Sequence, residues 1–270
     1  MTGEATAGTP VVLLDHPAPH VARLRINRPD KRNAIDHAVR QGFIDHLTVL
    51  LADPQERALV LGGVEGVFSA GGDIPSMVGL SEGQARERMQ HIHGLCRLVA
   101  HARIPVVSAM EGVTAGAAVG LALLGDRIVI GRGARVLFPF LKLGLAPDWG
   151  QLLTLPRRVG LPVARRLLSD GHAVGGEEAV RLGLADAVHD DDRVMAEAVA
   201  LAASLARLPG EAFARMKQRL HHPSASLDEE LHREEADQAV CLTGEDFREG
   251  YDAFVNKRSA DFIGRTGAAR

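Results

Sequence analysis

One acidic residue in this chain lies where it could transfer protons. Asp148 belongs to the segment Leu145-Ala146-Pro147-Asp148-Trp149-Gly150, in which most of the other side chains are apolar. Removal from water disfavours a charged carboxylate, so these neighbours predict a raised pKa and a useful base. A simpler interpretation is that Asp148, which follows a proline and precedes Gln151-Leu152-Leu153, caps a helix. The residues alone favour the cap.

Two turns rich in glycine and alanine each follow a predicted buried strand. The first, Ser69–Asp73, comes after the apolar run Ala58–Gly62, and the second, Gly112–Gly120, comes after Pro105–Met110. Small residues at a strand-to-helix turn let backbone N–H groups approach a ligand, and the helix dipole favours negative charge there. One such turn is weak evidence because packing alone can require it. Two such turns, one at each strand end, could form an oxyanion hole.

Four segments, taken in order, carry a specific resemblance. They are Ile26–Ala34, Val67–Ile74, Glu111–Gly120 and Leu145–Gly150. In this order they resemble the crotonase superfamily, which is the enoyl-CoA hydratase/isomerase family, over nearly the whole chain from about residue 11 to residue 265. The resemblance implies an α/β fold: a crotonase-type spiral of repeated ββα turns with a C-terminal helical trimerisation module.

The resemblance also assigns roles at the catalytic centre. The oxyanion-hole donors would be the N–H groups of Gly72 and Ala117, which would hold the thioester oxygen of an acyl-CoA. Hydratases of the family place two glutamates across the substrate, and counting along the matching motifs puts these positions at Gly120 and Phe140. Neither residue can exchange a proton. In several isomerase-type relatives the acid lies at the site of Asp148, so the resemblance favours catalysis over capping.

Further residues are expected to bind the substrate. Coenzyme A carries anionic phosphates, which basic side chains would meet. The resemblance implies Arg28 and Lys31 near the phosphates, Ala70, Asp73 and Ile74 near the adenine, Met77, Phe140 and Trp149 around the acyl group, and Lys257 reaching the coenzyme A of a neighbouring subunit. Ordinary core packing and a solvated charged face are the simpler interpretations. Coenzyme A is part of the substrate, so neither a separate cofactor nor a metal is expected.

Composition limits the other function classes. The 270 residues carry a formal net charge of −3 and are 46% apolar, which predicts a globular protein without affinity for nucleic acid or an anionic membrane. The sequence has no run of about 18 apolar residues and no signal-peptide pattern, so a cytoplasmic location is the default. Two cysteines outside any array make a disulfide framework or a zinc site improbable. Walker, G-x-G-x-x-G and G-x-S-x-G motifs are also missing.

Three parts of the chain differ in pattern. Residues 1–10 are small and polar and predict a disordered tail, residues 11–208 predict the acyl-CoA-binding core, and residues 209–270 predict a helical oligomerisation module. Patterns typical of a capping box at Ser81 and Ser226 indicate where two helices begin. The apolar faces of the C-terminal helices predict self-association as a trimer or a dimer of trimers.

Together with the resemblance, the sequence thus predicts an isomerase that converts a 3-enoyl-CoA to the 2-enoyl form or catalyses a related isomerisation. Asp148 would remove a proton from C2 of the acyl chain and return it at C4. Two alternatives stay open. One is a hydratase, lyase or hydrolase that uses Asp148 with a bound water, and the other is a catalytically silent protein that binds acyl-CoA.

Overall fold

The computed structural model describes residues 9–263, so most of the predicted N-terminal tail lies outside the described residues. The strands are β1 Val12–Ala18, β2 Val21–Ile26, β3 Ala58–Gly63, β4 Val106–Met110, β5 Val113–Ala115, β6 Arg127–Gly131, β7 Arg135–Leu137, β8 Val174–Gly175 and β9 Ala187–His189. The helices are α1 His37–Leu50, α2 Glu82–Ala100, α3 Ala117–Leu123, α4 Gln151–Val159, α5 Leu161–Asp170, α6 Gly176–Arg181, α7 Val194–Leu205, α8 Gly210–His221, α9 Leu227–Thr243 and α10 Glu245–Val255.

Two sheets form the centre of the molecule. The larger has the strand order β1-β2-β3-β4-β6-β9, with β1 antiparallel to β2 and every other neighbouring pair parallel. All residues of β3 and β4 are buried, as expected for parallel strands covered on both faces. The smaller sheet has the order β5-β7-β8. Because parallel strands point the same way, the turns that follow β3 and β4 leave the large sheet at one edge.

The chain repeats a pattern of strand, short second extended segment and helix. After β3 the chain makes isolated bridges at Ser69 and Gly72 before α2, and β4 is followed by β5 and α3. The sequence predicted a turn over Gly112–Gly120, whereas a short strand occupies Val113–Ala115 and α3 begins at Ala117. Pairing with β7 explains this strand, since residues distant in sequence supply its hydrogen bonds. The repeated ββα architecture is confirmed.

Helix α2 supports the site from one side. It begins with the predicted capping box: the Ser81 hydroxyl accepts from the Gln84 N–H, and the Gln84 side chain accepts from the Ser81 N–H. The helix buries Ile92, Leu95 and Val99 in the main core and packs against α1. The capping box therefore fixes the start of α2, and packing against the core fixes one of its faces.

The C-terminal helices join the core through polar contacts. The buried Lys217 of α8 donates to the Asp126 carboxylate at 2.8 Å, and Arg57 donates to the carbonyl oxygens of Ala206 and Leu208. Helix α8 begins at Gly210, beside the predicted boundary at residue 209. Trimerisation through this part of the chain stays a prediction. Within residues 9–263, no helix combines the length and apolar character needed to cross a membrane.

Candidate active site

The two turns rich in glycine and alanine contact each other. An isolated bridge joins Ser69 to Thr114, with the Ser69 N–H donating to Val113 and the Ala115 N–H donating to Ser69. Gly71 has φ +98°, and a Cβ atom on it would lie 2.5 Å from the Ala115 carbonyl oxygen. That same position is 3.7 Å from the Ala117 nitrogen. Only glycine allows this close approach, which brings the first turn to the start of α3.

Each turn presents an unused backbone donor. Around Gly72, the Gly71 carbonyl accepts from the Ile35 N–H and the Asp73 N–H donates to the Ile35 carbonyl. The N–H of Gly72 itself and that of Ala117, the first residue of α3, donate no hydrogen bond within residues 9–263. Two free N–H groups from adjoining turns are the donor set that an oxyanion requires.

The side chain of Asp148 does not cap a helix. Helix α4 has Gly150 at its N-cap and no side-chain hydrogen bond there, so the capping interpretation is wrong for the side chain. One carboxylate oxygen of Asp148, Oδ1, is buried with no hydrogen-bond partner among the described residues. Burial raises the pKa of Asp148 to about 6, against the opposing influence of the Arg88 cation. Such a carboxyl can both take and return a proton near neutral pH.

A buried amide connects Asp148 to the second turn. The Nε2 group of Gln151 donates to the backbone carbonyl of Asp148 and to that of Gly116, each at 3.1 Å. Gln151 is fully buried, and Gly116 immediately precedes the free N–H of Ala117. The backbone that carries the carboxyl group is therefore fixed relative to one oxyanion-hole donor.

Trp149 fills the space beside Gly120, where the family resemblance predicts the first hydratase glutamate position. This buried tryptophan has φ +54°, an uncommon value for a residue with a side chain, which indicates a backbone held by its surroundings. Its Cβ atom packs directly on Gly120, so closely that a Cβ atom on Gly120 would overlap it. Position 120 therefore has no room for a glutamate side chain.

Two further predicted pocket residues lie against the turns. The Met77 Cε methyl group covers Gly72 so closely that a Cβ atom there would collide with it. The ring of the buried Phe140 lies 3.8 Å from the position that a Cβ atom on Gly116 would take. Both side chains therefore make the surroundings of the predicted oxyanion hole apolar.

Sequence reasoning missed Arg88. This residue lies on α2 and is half-buried, and its Nη2 atom is 3.8 Å from the position that a Cβ atom on Gly72 would occupy. It interacts electrostatically with Asp148. Cys96 lies two helical turns further along α2. Burial raises the pKa of its thiol to about 12, and the negative charge of Asp148 contributes to the same shift. The sequence did carry a signal for Arg88, because position 88 falls on the same face of α2 as the apolar positions 85, 92 and 96.

The predicted phosphate-binding residues form an internal ion cluster. The Arg28 guanidinium donates to the Ala34 carbonyl at 2.8 Å and pairs with Asp36 at 3.0 Å and with the buried Asp73 at 3.2 Å. Lys31, about half exposed, lies 3.9 Å from the same Asp73 carboxylate. These contacts order the Arg28–Ala34 segment, and phosphate binding by either cation stays a prediction.

The remaining predicted binding residues are more dispersed. The backbone N–H of Ala70 donates to Arg32 at 2.9 Å, and Ile74 is exposed at the start of a short 3-10 turn. Lys257 is exposed just after α10, with φ +52°. Its predicted contact with the coenzyme A of a neighbouring subunit involves a second chain, so that contact stays a prediction. The part of the chain that the structure describes brings no three His, Cys, Asp or Glu side chains together in an arrangement that could hold a metal ion.

Comparison with known proteins agrees with this geometry. The model of the family described as enoyl-CoA hydratase/isomerase matches residues 18–265. The chain belongs to the enoyl-CoA hydratase/isomerase family. It is 33% identical over 260 residues to a 1,2-epoxyphenylacetyl-CoA isomerase from Escherichia coli, covering 94% of this chain and 98% of the relative.

Other relatives of this family member are hydratases by name. A crotonyl-CoA hydratase from Syntrophomonas wolfei is 30% identical over 248 residues, covering 91% of this chain and 95% of the relative. The crystal structure of an enoyl-CoA hydratase from Bacillus anthracis has a TM-score of 0.88 and 25% identity, covering 94% of this chain and 99% of that chain. Family membership therefore establishes hydratase/isomerase chemistry in general, and the residues of the site must distinguish between the two.

Proposed function

We propose that this family member is an acyl-CoA isomerase that converts a 3-enoyl-CoA to a 2-enoyl-CoA. The observation that carries the proposal is the Oδ1 atom of Asp148, which is buried without a hydrogen-bond partner among the described residues. It lies at a site where Gly120 and Phe140 stand in place of both hydratase glutamates. The similarity to an isomerase over nearly the full length supports it. The predominance of hydratase names among the relatives supports the competing reaction, which needs a separate test.

The reaction begins with enolate formation. The thioester oxygen accepts hydrogen bonds from the N–H groups of Gly72 and Ala117, which stabilise the negative charge that develops on it. Asp148, in its carboxylate form, removes a proton from C2 of the acyl chain. The electron pair of the broken C–H bond then delocalises over the thioester and the adjoining C3–C4 double bond.

Return of the same proton completes the isomerisation. The carboxylic acid form of Asp148 donates its proton to C4, the double bond moves to C2–C3, and the carboxylate is restored without any net gain or loss of atoms. A pKa of about 6 suits both halves of this cycle, because neither protonation state is strongly favoured near neutral pH. One carboxyl group is enough, whereas the hydratase reaction uses two acids to activate water and to deliver a proton.

Substrate binding and assembly are part of the same proposal. Lys31, with Arg28 held behind it, would meet the phosphates of coenzyme A, and Ala70, Asp73 and Ile74 would lie near the adenine. Met77, Phe140 and Trp149 would border the acyl group. Trimers formed through the C-terminal helices would bring Lys257 to the coenzyme A of a neighbouring subunit.

Product analysis tests the reaction directly. Purified protein is incubated separately with 3-hexenoyl-CoA and 2-hexenoyl-CoA, and products are separated by chromatography while free thiol is measured. The proposal predicts that 3-hexenoyl-CoA becomes 2-hexenoyl-CoA without release of coenzyme A, and that 2-hexenoyl-CoA is hydrated only very slowly. Rapid formation of a 3-hydroxyacyl-CoA would favour the hydratase, thiol release would favour a hydrolase, and binding without any product would favour the silent acyl-CoA-binding protein.

A further inference from the structure

The guanidinium of Arg88 is free at the edge of the proposed acyl pocket. Its Nη2 atom lies 3.8 Å from the Cβ position of Gly72, which supplies one donor to the thioester oxygen. The Arg88 side chain forms no hydrogen bond or ion pair within residues 9–263. Arg86, two residues earlier on the exposed face of α2, instead pairs with Glu82. Of these two arginines, only Arg88 is directed toward the site.

The surroundings of Arg88 carry charge but supply no direct partner. Asp148, Asp73 and Asp36 attract its guanidinium at longer range, while Arg88 and Arg40 repel each other. Burial lowers the pKa of Arg88 by removing part of its hydration. Asp73 and Asp36 each form their close ion pair with Arg28, and neither forms one with Arg88 within residues 9–263.

An unpaired guanidinium is an unusual neighbour for an apolar acyl chain. Burying it further beneath a neutral alkyl group would remove water from a cation without supplying an acceptor, which is costly. A carboxylate would instead complete a bidentate pair, because the planar guanidinium fork matches the two oxygens of a carboxylate. Met77 and Phe140, placed against the two turns, offer apolar contact only to the methylene groups that precede such a carboxylate.

We infer that Arg88 selects acyl-CoA substrates whose acyl group carries a second carboxylate. This inference rests on the proposed function, because it specifies the substrate class of the same site. The carboxylate accepts hydrogen bonds from the Arg88 guanidinium, and the thioester oxygen at the other end of the acyl group occupies the oxyanion hole. Arg88 is thereby a specificity-determining residue that contacts the substrate away from the reacting carbons.

Binding of saturated analogues tests this without requiring turnover. The matched pairs are succinyl-CoA with butyryl-CoA, glutaryl-CoA with pentanoyl-CoA, and adipyl-CoA with hexanoyl-CoA. Calorimetry measures each Kd for the wild type, Arg88→Met, Arg88→Lys and the exposed control Arg86→Met. We expect the wild type to prefer the carboxylated member of at least one pair by about tenfold or more. Arg88→Met removes that preference, Arg88→Lys keeps part of it, and Arg86→Met keeps it fully.

Several results would overturn the inference. Equal affinity of the wild type for both members of all three pairs would show that the site does not recognise a carboxylate. An equal loss of affinity for both members in Arg88→Met would place Arg88 at the thioester or the coenzyme A portion. A preference that survives in Arg88→Met would assign it to another residue. Failure of the isomerase proposal would appear separately, as a lack of 3-enoyl-CoA turnover by the wild type.

Discussion

At the scale of single residues, the site balances one carboxyl group against one cation. Burial raises the pKa of Asp148, and Arg88 partly opposes the shift. In the proposed mechanism the ionised form of Asp148 is the base that removes the proton, so this balance would determine the pH range in which isomerisation occurs. The two side chains lie on elements distant in sequence, Arg88 on α2 and Asp148 just before α4.

The pH dependence of turnover tests this balance. We expect kcat/KM for a 3-enoyl-CoA to fall as the pH decreases through about 6, because protonation of Asp148 removes the base. In Arg88→Met the same limb should move to higher pH, since loss of the cation raises the pKa of Asp148 further. Arg86→Met is the control and should leave the limb unchanged. An acid limb near the ordinary value of 3.8, or one unaffected by Arg88→Met, would contradict this assignment.

Most of the site could be predicted at the residue level because its motifs are local. Asp148, Gly72 and Ala117 each lie in a short segment whose pattern is visible in the sequence, and the structure leaves their donors or oxygens unpaired. Arg88 could not be assigned in the same way, because α2 carries many charged residues and most of them face solvent. Its role depends on the distance to Gly72, which only the folded chain provides.

At the scale of elements, the contact between α3 and the Asp148 segment excludes a glutamate. The Cβ atom of Trp149 lies against Gly120, and the Nε2 atom of Gln151 is 3.1 Å from the position of a Cβ atom on Gly120. Placing a carboxyl group there therefore requires movement of the segment that carries Asp148. Replacement of Gly120 and Phe140 by glutamate would disrupt this site rather than create a hydratase.

A smaller substitution measures how tightly these elements are packed. Gly120→Ala should lower the free energy of unfolding by about 1–3 kcal/mol, because the added methyl group overlaps the Trp149 Cβ atom. Gly94→Ala is a matched control inside α2, where a Cβ atom meets nothing within 4 Å. That control should be neutral or stabilising by up to about 1 kcal/mol. Chemical denaturation of both variants checks the difference, and equal stability would show that α3 is not closely packed on Trp149.

Helices with a long apolar periodicity could be predicted from the sequence. Short strands that pair with residues distant in the chain could not. Helices α1 and α2 follow their apolar spacing, and the Ser81 capping box is complete. At Ser226 only half of the predicted box forms, because the Glu229 side chain accepts from Ala225 rather than from Ser226. Short strands such as β5 and β8 have too few residues to show a pattern and depend on partners elsewhere in the chain.

At the scale of the whole molecule, the C-terminal helices expose a large apolar surface. Phe254 is 83% exposed and Tyr251 is 63% exposed on α10, and Leu242 of α9 is 55% exposed. Apolar side chains of this size on neighbouring helices are typical of an interaction surface. The Lys217–Asp126 ion pair holds α8, the helix that precedes α9 and α10, on the core.

Assembly should therefore depend on this surface. Light scattering at micromolar concentration should give a trimer or a dimer of trimers for the wild type, since exposed apolar helix faces favour association. Phe254→Asp should weaken assembly while leaving the circular dichroism of each subunit unchanged. Arg181→Asp, an exposed change on α6, is the control and should assemble normally. A monomeric wild type would contradict the predicted trimerisation module.

The proton-transfer role of Asp148 is tested most directly by the turnover of Asp148→Asn on a 3-enoyl-CoA. Asparagine preserves the size of the side chain but removes the base, so kcat should fall by about 100-fold or more. The fold should survive: because the folded-state pKa of Asp148 is raised, its ionisation destabilises the native state above about pH 6. The thermal midpoint of the variant should therefore equal or exceed that of the wild type at pH 8. Near wild-type isomerisation by a folded Asp148→Asn protein would remove Asp148 from the mechanism and contradict the account.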